Sequence, residues 1–351
     1  MTTTAEFAAE LIRSSQRGLA SAALVRLESD HAELLAQLPS SFATPRDDVL
    51  VRLQHLAAAV EFDRAELFAH SVQWYAVALR HRAVPDAYLA ATLQALRVAL
   101  IDELPRSAQP AATRILDAGV AALRNVEFEP TPHLDVTTPR GRLAGQFLLA
   151  TLEGRADDAV ALVRQALQDG MTVPQLHDEI LVPVQRETGR MWLIGEIQVA
   201  EEHFSSQVVD RVLWAAQDHI AQPPADAPRV LLMGTSGDNH SFGLRMIAQR
   251  LQAEGLRVHN LGPDMPPQDL ESVLAERFDV IAVSATMPLH LHSMSILVTE
   301  LRRLVGEATP IVAGGAPFAI APDLFRAIGA DAAATDGTSA SAEIRRLLDA
   351  R

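Results

Sequence analysis

Apolar positions in the first third of the chain recur at helical spacing. Leu50, Leu53, Leu56, Ala57 and Val60 follow the i, i+3, i+4 rule, and residues 65–82 and 86–104 repeat it. Pro85 stands where a helix can begin without losing a hydrogen bond, and Pro105 and Pro110 mark the next break. Five or six helices over residues 1–126 predict a helical bundle or a globin-like packing. Residues 140–220 carry four more candidate helices, at 140–153, 156–169, 173–189 and 196–219. Gly154 and Gly170 fall where helices should stop, and Trp192–Gly195 reads as a loop before the last helix. This segment predicts an antiparallel four-helix bundle.

From residue 229 the period changes. The apolar runs Arg229–Gly234, Arg257–Gly262, Val280–Ala285, Pro310–Gly314 and Asp331–Ala334 alternate with helical spacing such as Leu244, Ile247, Ala248 and Leu251. Buried strands alternating with helices predict a parallel, doubly wound, Rossmann-like sheet. Such sheets bind ligands at the carboxyl ends of their strands, near the topological switch point. The proline-rich stretches Glu127–Pro139 and Ala221–Pro228 read as linkers, so three domains are expected, at 1–126, 140–220 and 229–351.

Composition narrows the chemistry. The 351 residues contain no cysteine and no lysine; all 30 basic residues are arginine. Disulfides, thiolate metal sites, thioether-linked chromophores, lysine Schiff bases and an ordinary P-loop are excluded. A net charge of −14 argues against a broad nucleic-acid or anionic-membrane surface. Residues 1–135 hold 12 Arg against 17 Asp+Glu, with no helix-turn-helix pattern, so DNA would repel them. No apolar run approaches a membrane span and the first residues lack a signal pattern, so a cytoplasmic protein is expected.

The first βα loop reads Gly234-Thr-Ser-Gly-Asp-Asn-His-Ser-Phe-Gly243, without the dinucleotide spacing. Such a loop can present the His240 imidazole away from the sheet while Asp238 takes its other ring N–H, fixing the tautomer and raising basicity. Gly243 permits close approach of a ligand or of the helix start. The third strand ends in Ser284-Ala285-Thr286 and the fourth in Gly314-Gly315. Small residues on adjacent strand ends leave a slot whose hydroxyls can bond a buried polar tail.

The whole pattern, D-x-H-x-x-G, 40 residues, S-x-T, 27 residues, G-G, resembles the cobalamin-binding fold of corrinoid proteins. The resemblance implies His240 as lower axial cobalt ligand, Asp238 as its orienting partner, and Ser284, Gly314 and Gly315 as the slot for the displaced nucleotide base. Thr286 stands where that family often has leucine. A flavodoxin-like loop with an Asp–His hydrogen bond is the plainer alternative, and it leaves the Ser and Gly-Gly positions unexplained. In the preceding bundle, Trp192, nine residues, then Glu202-His203 resembles the sensory module of cobalamin-dependent light-sensing repressors, where this motif caps adenosylcobalamin. The resemblance implies that Trp192 packs on the adenosyl group and that Glu202 and His203 bond it or approach the metal. Taken singly, Trp192 reads as a core aromatic and the Glu202-His203 pair as a solvated helix face. Several such repressors have a histidine after the tryptophan. Leu193 stands here, which leaves His203 as the candidate upper ligand after photolysis.

The acidic N-terminal segment does not resemble a basic DNA-binding head. Its richest stretch, Phe68 to Arg82, weakly resembles helical or globin-like bacterial sensor domains and fits the photocobilins, which bind a bilin beside cobalamin. That implies a noncovalent bilin, biliverdin or a relative, with propionates on Arg80 or Arg82 and pyrrole nitrogens on His70 or His81. The alternative is a core Trp74–Tyr75 pair with surface Arg and His. His290 and His292 fall at the ligand edge and suit a metal, a solvent rim, the corrin periphery or a neighbouring domain. The expected function is therefore a non-enzymatic cobalamin photoreceptor in signal transduction, read out by a homo-oligomer or a separate partner. A corrinoid methyl carrier or mutase subunit is the alternative.

Overall fold

The structure is a computed structural model describing residues 3–40, 42, 44–126 and 130–350. The chain divides into two compact units. The first comprises Met1–Glu129 together with Met287–His292 and Ala316–Ala327. Its N-terminal helices are α1 (Thr4–Ser14), α2 (Gln16–Asp30), α3 (Ala32–Ala36), α4 (Pro45–Glu61), α5 (Ala65–Arg80), α6 (Asp86–Glu103) and α7 (Gln109–Ala122). Local chemistry sets their starts. Thr3 and Glu6 form a reciprocal capping box on α1, and Thr44 caps α4 just before Pro45. Pro110 lies in the first turn of α7 rather than between helices, because its missing N–H costs nothing there. Helix α5 packs on α7, α1 on α4 and α2 on α6, burying Ile12, Leu53, Leu56, Phe68, Val72, Ile115 and Leu116.

Two segments that the sequence assigns to the α/β domain belong to this unit. The turn Pro288–His290 packs on α4, and helix Pro317–Ile320 packs on α5. Polar pairs distant in sequence hold them: His292 Nδ1 donates to Glu61 Oε1 at 2.8 Å, and Arg64 donates to Asp323 at 2.7 Å.

The second unit comprises Pro130–Thr286, Ser293–Gly315 and Ile328–Arg351. Of the first expected linker, residues 127–129 lie outside those described; the chain then runs without helix or strand to Pro139. A bundle follows, of α8 (Pro139–Leu152), α9 (Ala156–Gln168), α10 (Val173–Leu176), a π-helical turn at His177–Leu181, α11 (Val182–Leu193) and α12 (Val199–Gln217). The sequence reads 173–189 as one regular helix. Pro183 lacks an N–H and crowds the carbonyl one turn back, so the helix widens and Val182 N–H donates to His177 O. Gly154 (φ +75°) and Gly170 (φ +98°) end α8 and α9 as the pattern requires. Phe147, Val163, Ile180, Val184, Val209 and Leu213 lie in the bundle core.

The sheet strands are β1 (Arg229–Gly234), β2 (Arg257–Asn260), β3 (Val280–Ser284), β4 (Ile311–Gly314) and β5 (Ala332–Ala334), all parallel in the order 2-1-3-4-5. They are a residue or two shorter than the apolar runs, except β1, which matches. Crossover helices include α13 (Phe242–Ala253), which packs on β2 and on the cap. Strand order reverses between β1 and β3, which places the crevice at their carboxyl ends. The expected fold class, helices followed by a four-helix cap and a doubly wound parallel sheet, is the fold observed.

Candidate functional site

The loop after β1 is pinned before it reaches its functional side chains. Thr235 N–H donates to Ser284 O at 3.0 Å, tying the loop to β3 across the switch point. Gly237, at φ +83°, donates to Asp264 Oδ1 at 2.7 Å, and Asp264 N–H returns a bond to Asp238 O at 3.1 Å. The turn thus delivers the Asp238 carboxylate into the interior, where it is 2% exposed. Burying a carboxylate is costly unless N–H groups surround it. Asp238 Oδ1 accepts from His240 Nδ1 at 2.6 Å and from His240 N–H at 3.2 Å, while Oδ2 accepts from Thr286 N–H at 2.5 Å. One carboxylate therefore joins the D-x-H loop to the S-x-T strand end.

His240 itself keeps 57% of its side chain exposed. Its hydrogen bond to Asp238 raises its pKa above the ordinary imidazole value, with Glu202 adding a smaller electrostatic push. Because a carboxylate only accepts, Nδ1 carries the proton and Nε2 is the nitrogen a ligand can meet.

The strand ends beside it are lined up by register. Gly234 pairs with Ser284, Ser284 with Gly314, and Gly314 with Ala334, so a row of very small side chains crosses four strands. Gly315 follows at φ +120°, where a Cβ would lie 1.9 Å from Ala285 O. At Gly314 a Cβ would meet nothing closer than 3.7 Å. Ser284 and Thr286 are partly exposed, and Gly243 is exposed in the first turn of α13. A single imidazole tied back through Nδ1, beside strand ends stripped of bulk, suits one axial metal bond and a narrow inserted tail.

The cap residues are placed differently from expectation in one respect. Trp192 is not in a loop but in the last turn of α11, which continues to Leu193 because that leucine is buried in the core. Gly195, at φ +75°, then stops the chain from extending the helix. Glu202 and His203 lie in the first two turns of α12. Glu202 accepts from Ser206 Oγ at 2.8 Å and stands 3.7 Å from His203 Nε2; the His203 side chain is 69% exposed.

The cap is tied to the helix that follows the His240 loop. His177 Nε2 donates to Gln249 Oε1 at 3.0 Å, and Gln249 Nε2 donates to Leu213 O at 2.6 Å. Arg250 pairs with Asp178 at 2.5 Å. Burial drives the His177 pKa down to about 4, so the ring is neutral. The sequence signal of this seam is polar residues, His177, Gln249 and Arg250, at core-facing helical positions.

In the N-terminal unit the bilin candidates are dispersed. Arg80 is paired with Asp86 at 3.5 Å, Arg82 donates to Ala78 O, and His70 and His81 are exposed. The cavity lined by Leu79, Arg80, Val84, Leu89 and Leu123 holds about 210 Å³, below the roughly 300–1,000 Å³ of ordinary small-molecule sites. The Trp74 and Tyr75 rings contact edge to face at 5.0 Å. Arg52, 1% exposed, stacks 3.6 Å over Tyr75 and bonds Asp48 at 2.5 Å, with His55 beside the same ring. Its sequence signal is a charged residue three after Val49 and four before Leu56, on a buried helix row. Among the described residues no three His, Asp or Glu side chains gather as a metal site, His290 and His292 included. No described helix is long and apolar enough to cross a membrane.

Residues 228–345 match the model of a B12 binding domain, and residues 143–216 match a second B12 binding domain model. The chain contains a two-part B12-binding module. His240 and the strand-end row lie in the first match, and Trp192, Glu202 and His203 in the second. Relatives of the module include the HTH-type transcriptional repressor CarA of Myxococcus xanthus, 34% identical over 164 residues, covering 46% of this chain and 54% of the repressor. CarH of the same organism is 28% identical over 202 residues, covering 57% and 64%. The chain thus spans between half and two thirds of these relatives' lengths. The dimethylamine corrinoid protein of Methanosarcina barkeri is 31% identical over 122 residues, 34% of this chain and 56% of that protein. In fold, the Methanosarcina barkeri monomethylamine corrinoid protein superposes with a TM-score of 0.51 at 19% identity, covering 59% of this chain and 97% of its own. The B12-binding module indicates a corrinoid cofactor and is related both to the repressors and to the corrinoid proteins.

Proposed function

We propose that this chain is a cobalamin photoreceptor rather than an enzyme. Adenosylcobalamin, when bound, supplies visible absorption and a cobalt–carbon bond that light breaks. His240 would offer Nε2 as lower axial ligand, with Asp238 holding the ring and its tautomer. Ser284 and Thr286 would bond the displaced nucleotide tail, Gly314 and Gly243 would leave room for it, and Gly315 would let its strand end pass close to Ala285 beside the slot. On the opposite side Trp192 would cover the adenosyl group and exclude water, and Glu202 and His203 would bond it. Loss of that partner in the light would let α11 and α12 repack, because a state change requires contacts that differ between the two states. His203 is the residue available to take up a ligand role after photolysis.

What supports this reading is that one chain carries the Asp238–His240 pair, hydrogen-bonded at 2.6 Å, in one B12 binding domain match and Trp192, Glu202 and His203 in the match that precedes it. The output would pass to a homo-oligomer or a separate protein partner in the cytoplasm, without nucleic acid or membrane. Protein loaded with adenosylcobalamin in the dark should change both its absorption spectrum and its hydrodynamic size or partner binding under green light. Constancy of both would refute the proposal.

A second reading, a corrinoid methyl carrier, is favoured by the likeness to dimethylamine corrinoid proteins. It requires preference for methylcobalamin and turnover beside a methyltransferase. A noncovalent bilin such as biliverdin would make the photoreceptor two-coloured. Co-expression with a bilin source should then add a red-absorbing band, and its absence despite supply eliminates that variant.

A further inference from the structure

We propose that the N-terminal helical unit reads the state of the corrinoid site through the two loops that continue β3 and β4. The inference rests on the reading of His240 and the strand-end slot as that site. Two of the three motif pieces end where the chain passes from one unit to the other. Ser284-Ala285-Thr286 runs directly into Met287–His292, and Gly314-Gly315 runs directly into Ala316–Ala327.

On the side of the sheet, both crossings are rigidly held. Thr286 N–H is bonded to the carboxylate that orients His240. Gly315 N–H donates to Ala334 O at 3.1 Å, and Ala285 N–H donates to Gly314 O at 2.9 Å, so the two strand ends are bonded to each other. A tail bonded to Ser284 and packed on Gly314 would load both strand ends at once, since packed interiors transmit strain rather than absorb it.

On the other side, each loop is gripped by a helix terminus. Glu61 is the last residue of α4, where a negative charge opposes the helix dipole. Its carboxylate is held by two donors, Arg13 from α1 at 2.8 Å on Oε2 and His292 at 2.8 Å on Oε1. Withdrawal of His292 would leave that terminus less well satisfied. Arg64, immediately before α5, holds Asp323 in the second loop. The α4–α5 junction, residues 61–65, is therefore where both loops report, and its last and first turns are the responsive element.

The test uses the full-length protein and adenosylcobalamin in the dark, with binding followed by absorption and local opening by amide hydrogen exchange. Saturation should change exchange in peptides covering residues 58–68 by about fivefold or more, the lower end of ordinary coupling. Glu61→Gln and, independently, Arg64→Ala should retain the bound-corrinoid spectrum while losing most of that change. By reciprocity each should shift corrinoid affinity by a comparable factor. Far-ultraviolet circular dichroism verifies that both variants fold, and the exposed Arg64 pair serves if the Glu61 variant does not. Unchanged exchange at 58–68 in wild-type protein that has demonstrably bound corrinoid overturns this inference alone. Failure to bind corrinoid at all overturns the site assignment and this inference with it.

Discussion

Gly314 and Gly315 look equivalent in the sequence, yet the structure predicts opposite behaviour on substitution by alanine. In Gly315→Ala the new Cβ lies 1.9 Å from Ala285 O and 2.8 Å from its carbonyl carbon. That is well over 1 Å, roughly 1.5 Å, inside van der Waals contact with backbone that cannot swing away. The φ of +120° adds backbone strain for any side chain. Strain of about 1–3 kcal/mol and overpacking of about 1–3 kcal/mol together predict a loss of about 2–6 kcal/mol in the protein without cofactor. Gly314→Ala meets nothing within 3.7 Å, so its stability should stay within about 1 kcal/mol of wild type. If the row from Gly234 to Ala334 is a tail slot, however, the added methyl obstructs the guest and weakens corrinoid binding by about tenfold or more. Urea unfolding of the cofactor-free proteins and spectroscopic titration with cobalamin separate the two effects. Equal destabilisation by both alanines would refute the packing argument. Wild-type affinity in Gly314→Ala would refute the slot.

Other substitutions test other parts of the account. Asp238→Ala frees the His240 ring and orphans Thr286 N–H, and should weaken corrinoid binding by about 10–100-fold in the same titration. Trp192→Ala should speed loss of the adenosyl group in the dark while leaving the corrin bound, as read from the absorption spectrum. His177, neutral in the fold with a pKa of about 4 against 6.5 when unfolded, contributes stability that is complete above pH 6.5 and lost as pH falls towards 4. At pH 5 its share of the loss is about 2 kcal/mol, and His177→Gln should remove that share from the pH 7-to-5 difference in urea midpoint free energy. Arg52→Ala strands the buried Asp48 carboxylate and should cost about 3–5 kcal/mol, with most of it recovered in an Asp48→Leu, Arg52→Met double variant by chemical denaturation.

The parts of this architecture that were legible in the sequence are those written in local pattern. The five apolar runs became five parallel strands because a sheet covered on both faces needs continuous apolar residues. Asp238 and His240 were readable as a pair because two residues of loop suffice to bring their side chains together. The sequence reads Trp192 as a loop residue, whereas the burial of Leu193, not propensity, extends α11 by one turn. The π-helical turn at His177 escaped notice because Pro183 within an apolar run does not say how the chain will accommodate it. Least legible were contacts far apart in sequence. Nothing near Glu61 announces His292, 231 residues away, and nothing near Asp323 announces Arg64. Such pairs decide that the loops after β3 and β4 pack with the N-terminal helices.

The central proposal is that His240, and not the cofactor's own base, would be the nitrogen ligand to the cobalt of a bound corrinoid. The most direct measurement is the electron paramagnetic resonance spectrum of the cobalt(II) corrinoid bound to protein made with histidine labelled by nitrogen-15. The account predicts that the axial nitrogen splitting changes from a triplet to a doublet on labelling, and that His240→Ala abolishes the doublet. A triplet that persists in the labelled protein would mean that an unlabelled nitrogen of the cofactor still binds the metal, and would contradict it.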